Sequence, residues 1–438
     1  MEYLPLIFFG VVLVMLMAGF PVAFTLGGVS LIFGLATFGL NFFNLLPMRI
    51  WGIMNNYILL AVPLFIYMGV MFEKSGLAEE LLETMALLFG KLRGGMAISV
   101  LIVGALLAAA TGIVGATVVT MGVLTLPTML KKGYSPEVAT GIISASGTLG
   151  QIIPPSIVLV LLGSVLNISV GELFVGAVIP GFLLVLLYFI WLIIIAIFKP
   201  KLAPAMPKED LLNFQKSNKF KKIATAFIAP LFLITAVLGS IFAGIASPTE
   251  AAAVGAFGAT FLTVIRGRFS KSIFNEVMIR TTTLTSMTFM ILIGAAAFGL
   301  VFRGMSGDII LTNLILSNNI EPHHFLIIVM LLIFVAGFFI DFIEIVFIIV
   351  PVVAPIFVHL NVDLLWIGIL IAVNLQTSFL TPPFGFALFF LKGVAPEGVT
   401  TKHIYKGVIP YVIIQLVGLT ILIIYPELVL WLPKYLGN

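Results

Sequence analysis

The chain has 438 residues, of which 61% are hydrophobic and 9% charged, and its mean hydropathy is +1.25. Soluble domains carry about 25% charged residues, so a soluble enzyme is excluded; a disordered chain is excluded too, because such chains are poor in apolar residues. The net charge of +4 sits in short loops, as a topology signal does and a nucleic-acid surface does not. There are no cysteines, which excludes disulfides, thiolate metal sites, iron–sulfur clusters and cysteine nucleophiles.

Apolar runs near 20 residues recur from end to end, each long enough to cross about 30 Å of hydrocarbon as a helix. They are continuous rather than alternating, which argues against a membrane β-barrel. The reading is an all-α polytopic membrane protein in a lipid bilayer. Met1-Glu2-Tyr3 leads into the first run without a basic stretch or a small-residue cleavage site, so the N-terminus is expected to be a retained helix. Spans are predicted at 3–20, 22–47, 56–73, 94–131, 135–167, 170–198, 223–245, 248–265, 274–301, 323–358, 362–392 and 404–433. Those at 94–131 and 323–358 exceed one crossing and are interrupted in the middle, so each is expected to form a hairpin.

Residues 199–222 are the polar connector, with Lys199, Lys201, Lys208, Lys216, Lys219, Lys221 and Lys222. The excess of lysine puts it in the cytoplasm. Propagating crossings outward from it leaves only Arg49, Arg303 and Lys434, of 22 basic residues, on the outer side. Both termini are then expected outside, on the periplasmic face. Sidedness is the same for a re-entrant hairpin and for two full crossings.

The connector divides the chain into halves of like order. Span, amphipathic stretch, paired span, proline-broken span and final span fall at 56–73, 75–92, 94–131, 135–167 and 170–198. They recur at 274–301, 304–320, 323–358, 362–392 and 404–433. An offset of 228 lays Pro154-Pro155 on Pro382-Pro383 and Pro127 on Pro355. The halves start on opposite sides of the membrane, so the repeat is inverted, as in transporters whose sites lie at the repeat interface.

The first hairpin centre, Ala108 to Thr120, carries Thr111, Gly112, Gly115 and Thr117 and no charge. It reads either as a tip buried in protein or as small-residue packing between two helices. The second centre, Gly337 to Pro351, carries Asp341 and Glu344. An intramembrane carboxylate normally faces a partner, an ion or a cavity; the alternative is a short surface loop with its acids in water. Asp341 falls on Ile113 at offset 228. The broken spans carry the strongest signal, because a proline pair removes two backbone donors and stops the helix. Ser144, Ser146, Thr148 and Gln151 precede one break; Asn374, Gln376, Thr377, Ser378 and Thr381 precede the other. Freed carbonyls and half-helix ends there suit a small cation and an anionic substrate, the bland reading being two kinked helices whose polar groups repair the break. The segments 75–92 and 304–320 read as interfacial arms or as peripheral loops. There is no phosphate-binding loop and no H-E-x-x-H. His323, His324, His359 and His403 read as interfacial and not at ligand spacing, and Arg303 as a snorkelling interfacial residue.

With these segments in hand, the chain resembles the large membrane subunit, DctM type, of tripartite ATP-independent periplasmic (TRAP) transporters. The resemblance runs over essentially the full length. It rests on "SGLAEELLETMALLFGKLRGGMAISV", "SASGTLGQIIPPSIVLVLLG", "ASPTEAAAVGAFGA" and "NLQTSFLTPPFGFALFFLKGVAP". It implies the ion-transporter superfamily fold, with inverted repeats, a scaffold and an elevator-type transport domain. The scaffold would be 1–74, 168–303 (with the cytoplasmic loop 199–222) and 393–438; the transport domain would be 75–167 and 304–392. It implies sodium-coupled import of a small carboxylate across the bacterial inner membrane, with no organic cofactor and no covalent chemistry. The implied partners are a periplasmic substrate-binding protein and a small four-helix membrane subunit, expected as a separate polypeptide because no extra four-span region precedes residue 3. Thr111, Gly112, Gly115, Ser144, Gly147 and Thr148 would hold one sodium ion. Gly337, Asp341, Asn374, Thr377 and Thr381 would hold another. Substrate would lie between, near Ser146, Gln151, Pro154, Gln376, Pro382 and Phe384. The competing readings are a stand-alone sodium–dicarboxylate symporter, a channel-like subunit and an intramembrane enzyme using Asp341 and Glu344.

Overall fold

Long apolar sequence in hydrocarbon satisfies its backbone polar groups only by coiling into helices. A computed structural model describes residues 3–206, 219–318 and 320–437, and among these it contains twenty-one α-helices and no strand. Lys208 and Lys216 of the connector lie outside the described residues. The first half comprises α1 (Leu4–Met17), α2 (Val22–Phe38), α3 (Leu46–Met54), α4 (Ala61–Lys74), α5 (Leu77–Phe89), α6 (Gly95–Thr111), α7 (Val114–Lys131), α8 (Pro136–Thr148), α9 (Ile157–Leu166) and α10 (Val170–Phe198). The second comprises α11 (Lys219–Phe242), α12 (Pro248–Ile265), α13 (Lys271–Gly304), α14 (Gly307–Ser317), α15 (Pro322–Ala336), α16 (Phe342–Ile348), α17 (Val350–His359), α18 (Leu364–Leu380), α19 (Phe386–Val394), α20 (Thr401–Ile424) and α21 (Glu427–Leu436).

Two expected spans are divided. Gly39, at φ 74, ends α2, and a 3-10 turn at Leu40–Leu45 leads into the short α3, so 22–47 is not one crossing. Pro426 separates α20 from α21, so 393–438 holds two helices rather than one. Four pairs of helix ends repeat at the expected offset. Val114 and Phe342, Lys131 and His359, Pro136 and Leu364, and Leu166 and Val394 each stand 228 residues apart as matching helix ends.

Both hairpins form. α6 turns into α7 through two residues: Gly112, at φ 61, and the extended Ile113. The left-handed conformation costs glycine little. The second hairpin turns through residues 337–341, and its returning arm is bent by 49° between α16 and α17. α15 has 15 residues, about 22 Å at about 1.5 Å per residue, and so stops short of a full crossing.

The outer surface is the reverse of a soluble protein's. Phe24, Phe182, Phe232 and Phe257 are all more than two-thirds exposed, as side chains facing lipid are. Charge collects at one end. Lys74 pairs with Glu276, Arg280 with Glu73 and Arg266 with Glu80. Backbone bonds from Gly94 to Ala203, Ser135 to Leu202 and Met206 to Gly90 seat the start of the connector on the turns that carry Lys91, Arg93, Lys131 and Lys132. This is the expected clustering of basic residues on one face.

Candidate functional site

Ser135 caps α8 by accepting from the backbone of Val138, and the helix runs to Thr148 before a 3-10 turn at Leu149–Gln151 and the cis Pro154-Pro155 bond. α9 restarts at Ile157. Ser144, Ser146, Thr148 and Gln151 are all 0% exposed. Three hydroxyls close on the local backbone: Ser146 donates to Ile143 O at 3.2 Å, Thr148 to Ala145 O at 2.9 Å and Ser156 to Gln151 O at 2.7 Å. Ser144 Oγ and both side-chain amide atoms of Gln151 have no partner. The first hairpin tip meets this break directly. A Cβ added at Gly112 would lie 3.3 Å from Pro155 O, and the Thr111 and Thr117 hydroxyls are 2.8 Å apart beside it. Gly147 packs on Val118 of α7, and Ser146 on Gly104 of α6. Gly115 turns elsewhere, onto the ring of Phe390 in α19.

At the second junction Asn374, Gln376, Thr377 and Ser378 are buried on α18. Asn374 Nδ2 donates to Met330 O at 2.7 Å, tying α18 to α15. Thr377 donates to Val373 O at 2.8 Å and Thr381 to Thr377 O at 2.7 Å. The tip again sits on the helix beside the break: a Cβ at Gly337 would approach Ser378 Cβ at 2.6 Å, and the rings of Phe342 and Phe379 are 6.1 Å apart. Asp341 and Glu344 have a job here that sequence reading did not assign. They form a capping box on α16, with Asp341 Oδ1 accepting from Phe342 N at 2.6 Å and Glu344 Oε2 accepting from Asp341 N at 2.9 Å. The two breaks differ in access. Pro154 is buried, whereas Phe384 is 59% exposed and Tyr405 donates to Pro383 O at 2.6 Å.

Three residues absent from the sequence reading join the site. Gln376 Nε2 and Gln415 Nε2 both donate to Tyr188 OH, and the rings of Tyr188 and Tyr411 meet edge to face at 5.1 Å. Gln376 Oε1, Gln415 Oε1 and Tyr411 OH remain unpaired and buried. The signal was present: Gln415 stands alone in "YVIIQLVGL", and a lone amide inside an apolar span is costly enough to mark a site. A second correction concerns the histidines. Glu321, His323 and His324 do bring ligand atoms within 4.8 Å, but on the exposed start of α15. His403 caps α20 with Thr400.

A buried polar atom left unpaired costs about 1–3 kcal/mol. A fold that keeps six of them on Ser144, Gln151, Gln376, Tyr411 and Gln415 around two helix breaks leaves them for a ligand or water to complete. The donors are neutral oxygens and amides, which suit a hard cation or an oxyanion.

Residues 9–428 match the family Tripartite ATP-independent periplasmic transporter, DctM component. The chain is 32% identical to the C4-dicarboxylate TRAP transporter large permease protein DctM of Vibrio cholerae, over 98% of this chain and 97% of that one. It is 32% identical to the protein of the same description from Pseudomonas aeruginosa, over 90% of each. It is 29% identical to the sialic acid TRAP transporter large permease protein SiaM of Vibrio cholerae, over 97% of each. Its fold is similar to the crystal structure of the YdaH transporter of Alcanivorax borkumensis, at a TM-score of 0.59 and 14% identity, over 96% of this chain and 98% of that one. The chain is a multi-pass membrane transporter subunit, not an enzyme, and it belongs to the DctM component family of the tripartite ATP-independent periplasmic transporters.

Proposed function

We propose that this chain carries a small organic acid across the bacterial inner membrane, driven by sodium, after receiving it from a periplasmic binding protein. The observation that carries the reading is the pair of junctions at which a hairpin tip meets a broken helix beside unpaired buried oxygens. At the first, Thr111, Gly112, Ser144, Gly147 and Thr148 would hold one sodium ion, with Gly115 supporting the tip from the α19 side. At the second, Gly337, Asp341, Asn374, Thr377 and Thr381 would hold another. Ser146, Gln151, Pro154, Gln376, Pro382 and Phe384 would take the carboxylate between them. Coupling follows from charge: an anion enters this low-dielectric region more readily when cations already occupy it.

The relatives' names support the substrate class. They are described as carriers of C4-dicarboxylates, sialic acid, ectoine and isethionate. That the Vibrio cholerae relative is described as a large permease protein supports a separate small membrane subunit as partner, which would be the four-helix one. The lysine-rich face would be cytoplasmic by the positive-inside rule, which puts both termini in the periplasm. Residues 75–167 and 304–392 would form a transport domain that moves, elevator fashion, against a scaffold of 1–74, 168–303 and 393–438, with the halves related as an inverted repeat.

The test is uptake of labelled succinate, sialic acid, ectoine and isethionate into proteoliposomes holding this chain and its small subunit, with and without a sodium gradient and the binding protein. Uptake that needs both supports the reading. Sodium-driven uptake indifferent to the binding protein would make the chain a stand-alone symporter, and non-saturating flux without sodium would make it a channel.

A further inference from the structure

Arg49 and Arg303 are two of the three basic residues that sequence reading sets on the side away from the lysine-rich face. They are 254 positions apart in the chain, and yet they line one cavity of about 530 Å³, within the roughly 300–1,000 Å³ of small-molecule sites. The cavity lies far from the basic face. α13 leaves that face at Lys271 and reaches Arg303 32 residues later, about 48 Å at about 1.5 Å per residue. Its walls come from both parts of the proposed elevator: α3 and α13 on one side, α9, α16 and α17 on the other. Asn56 Nδ2 donates to Ser164 Oγ at 3.0 Å across the seam, and Asn167 closes the end of α9 at the cavity wall.

The charge is the unusual part. Arg49 and Arg303 feel each other's charge, and no carboxylate among the described residues comes within ion-pair distance of either. Arg303 Nε makes a long 3.4 Å contact to Gly299 O in its own helix. Asp308 lines the same cavity and offsets one of the two positive charges, which leaves a net excess. Two guanidiniums held on one wall repel unless an anion lies between them, and each presents the planar fork that matches a carboxylate.

We infer that this cavity is an oxyanion-receiving site, in which Arg49 and Arg303 take the carboxylate of the transported acid on the periplasmic side before it passes to the two breaks. The inference rests on the transport reading above. Asn56, Ser164 and Asn167 supply the neutral hydrogen bonds that orient the rest of the molecule.

The natural absence of cysteine makes the test clean. Uptake of the acid identified by the panel above is measured for wild type, Arg49→Gln/Arg303→Gln and Arg49→Lys/Arg303→Lys, all in the full assembly with sodium and binding protein. Losing both charges lowers uptake efficiency roughly tenfold to a hundredfold, and the lysine pair retains most of it. On Arg303→Cys, a positively charged methanethiosulfonate restores uptake and a negatively charged one does not. Unchanged uptake in the glutamine pair, or equal rescue by both reagents, overturns the inference. So does wild-type uptake that falls to the glutamine-pair level in vesicles of phosphatidylcholine alone, because the oxyanion is then the headgroup of a net-anionic lipid, which those vesicles lack. Absence of any sodium-driven uptake by wild type sinks the transport reading itself, whereas normal wild-type uptake with indifferent variants sinks only this inference.

Discussion

Single polar atoms carry the account at its smallest scale. Ser144 Oγ is buried and has no hydrogen-bond partner, so Ser144→Ala removes a desolvated group and costs no contact within the protein. Thermal unfolding of Ser144→Ala should therefore match or exceed wild type; a fall of many degrees would mean that the hydroxyl has a structural partner. Asp341 poses a different question, because its capping role and its proposed ion role coincide. Asparagine caps a helix about as well as aspartate but carries no charge. Asp341→Asn should keep the fold and lose sodium dependence, whereas Glu344→Ala should cost about 1 kcal/mol of stability through the lost cap. If Asp341→Asn transports with unchanged sodium dependence, the carboxylate is a cap only. Sequence alone gave Asp341 the right address, opposite Ile113 in the repeat, because both begin the returning arm of a hairpin. It missed the capping box because burial hides the difference between an acid serving the backbone and an acid serving an ion. It also missed Tyr188, Tyr411 and Gln415, which meet Gln376 only after distant helices pack together.

Among whole elements, proline and glycine did most of the specifying. The two proline pairs break α8 from α9 and α18 from α19 at positions that could be read directly. Gly39 and Pro426 end helices too, yet they lie in apolar sequence whose hydropathy runs straight through them. Hydropathy reports burial in lipid and does not register a single residue at positive φ. Close helix packing was equally hidden. Gly141 of α8 and Gly407 of α20 face each other, and a Cβ on Gly141 would come within 2.7 Å of the Gly407 carbonyl carbon. These two helices belong to opposite parts of the proposed elevator. Gly141→Val should lower both uptake and the thermal midpoint, with a stability loss of about 1–3 kcal/mol from overpacking. A variant of wild-type stability and uptake would show that the interface is looser than this spacing implies.

Over the whole molecule, the distribution of charge was legible because few charged residues are present, so each one matters. Lys74, Lys91, Arg93, Lys131, Lys132, Arg266 and Arg280 gather at one end by ion pairs and backbone bonds, as the count of crossings required. The repeat was legible as an order of elements and returned as helix ends 228 residues apart. The difference in access between the breaks was not legible, because both carry the same residue types; one is sealed and the other opens beside Phe384. Whether sodium is held at the two tip-on-break junctions, as proposed, is read from the sodium concentration dependence of uptake in wild type, Ser144→Ala and Thr377→Ala. Each variant should need about tenfold more sodium for half-maximal uptake, as loss of one oxygen contact of about 1.4 kcal/mol dictates. Sodium curves that superimpose on wild type in both variants would contradict the account.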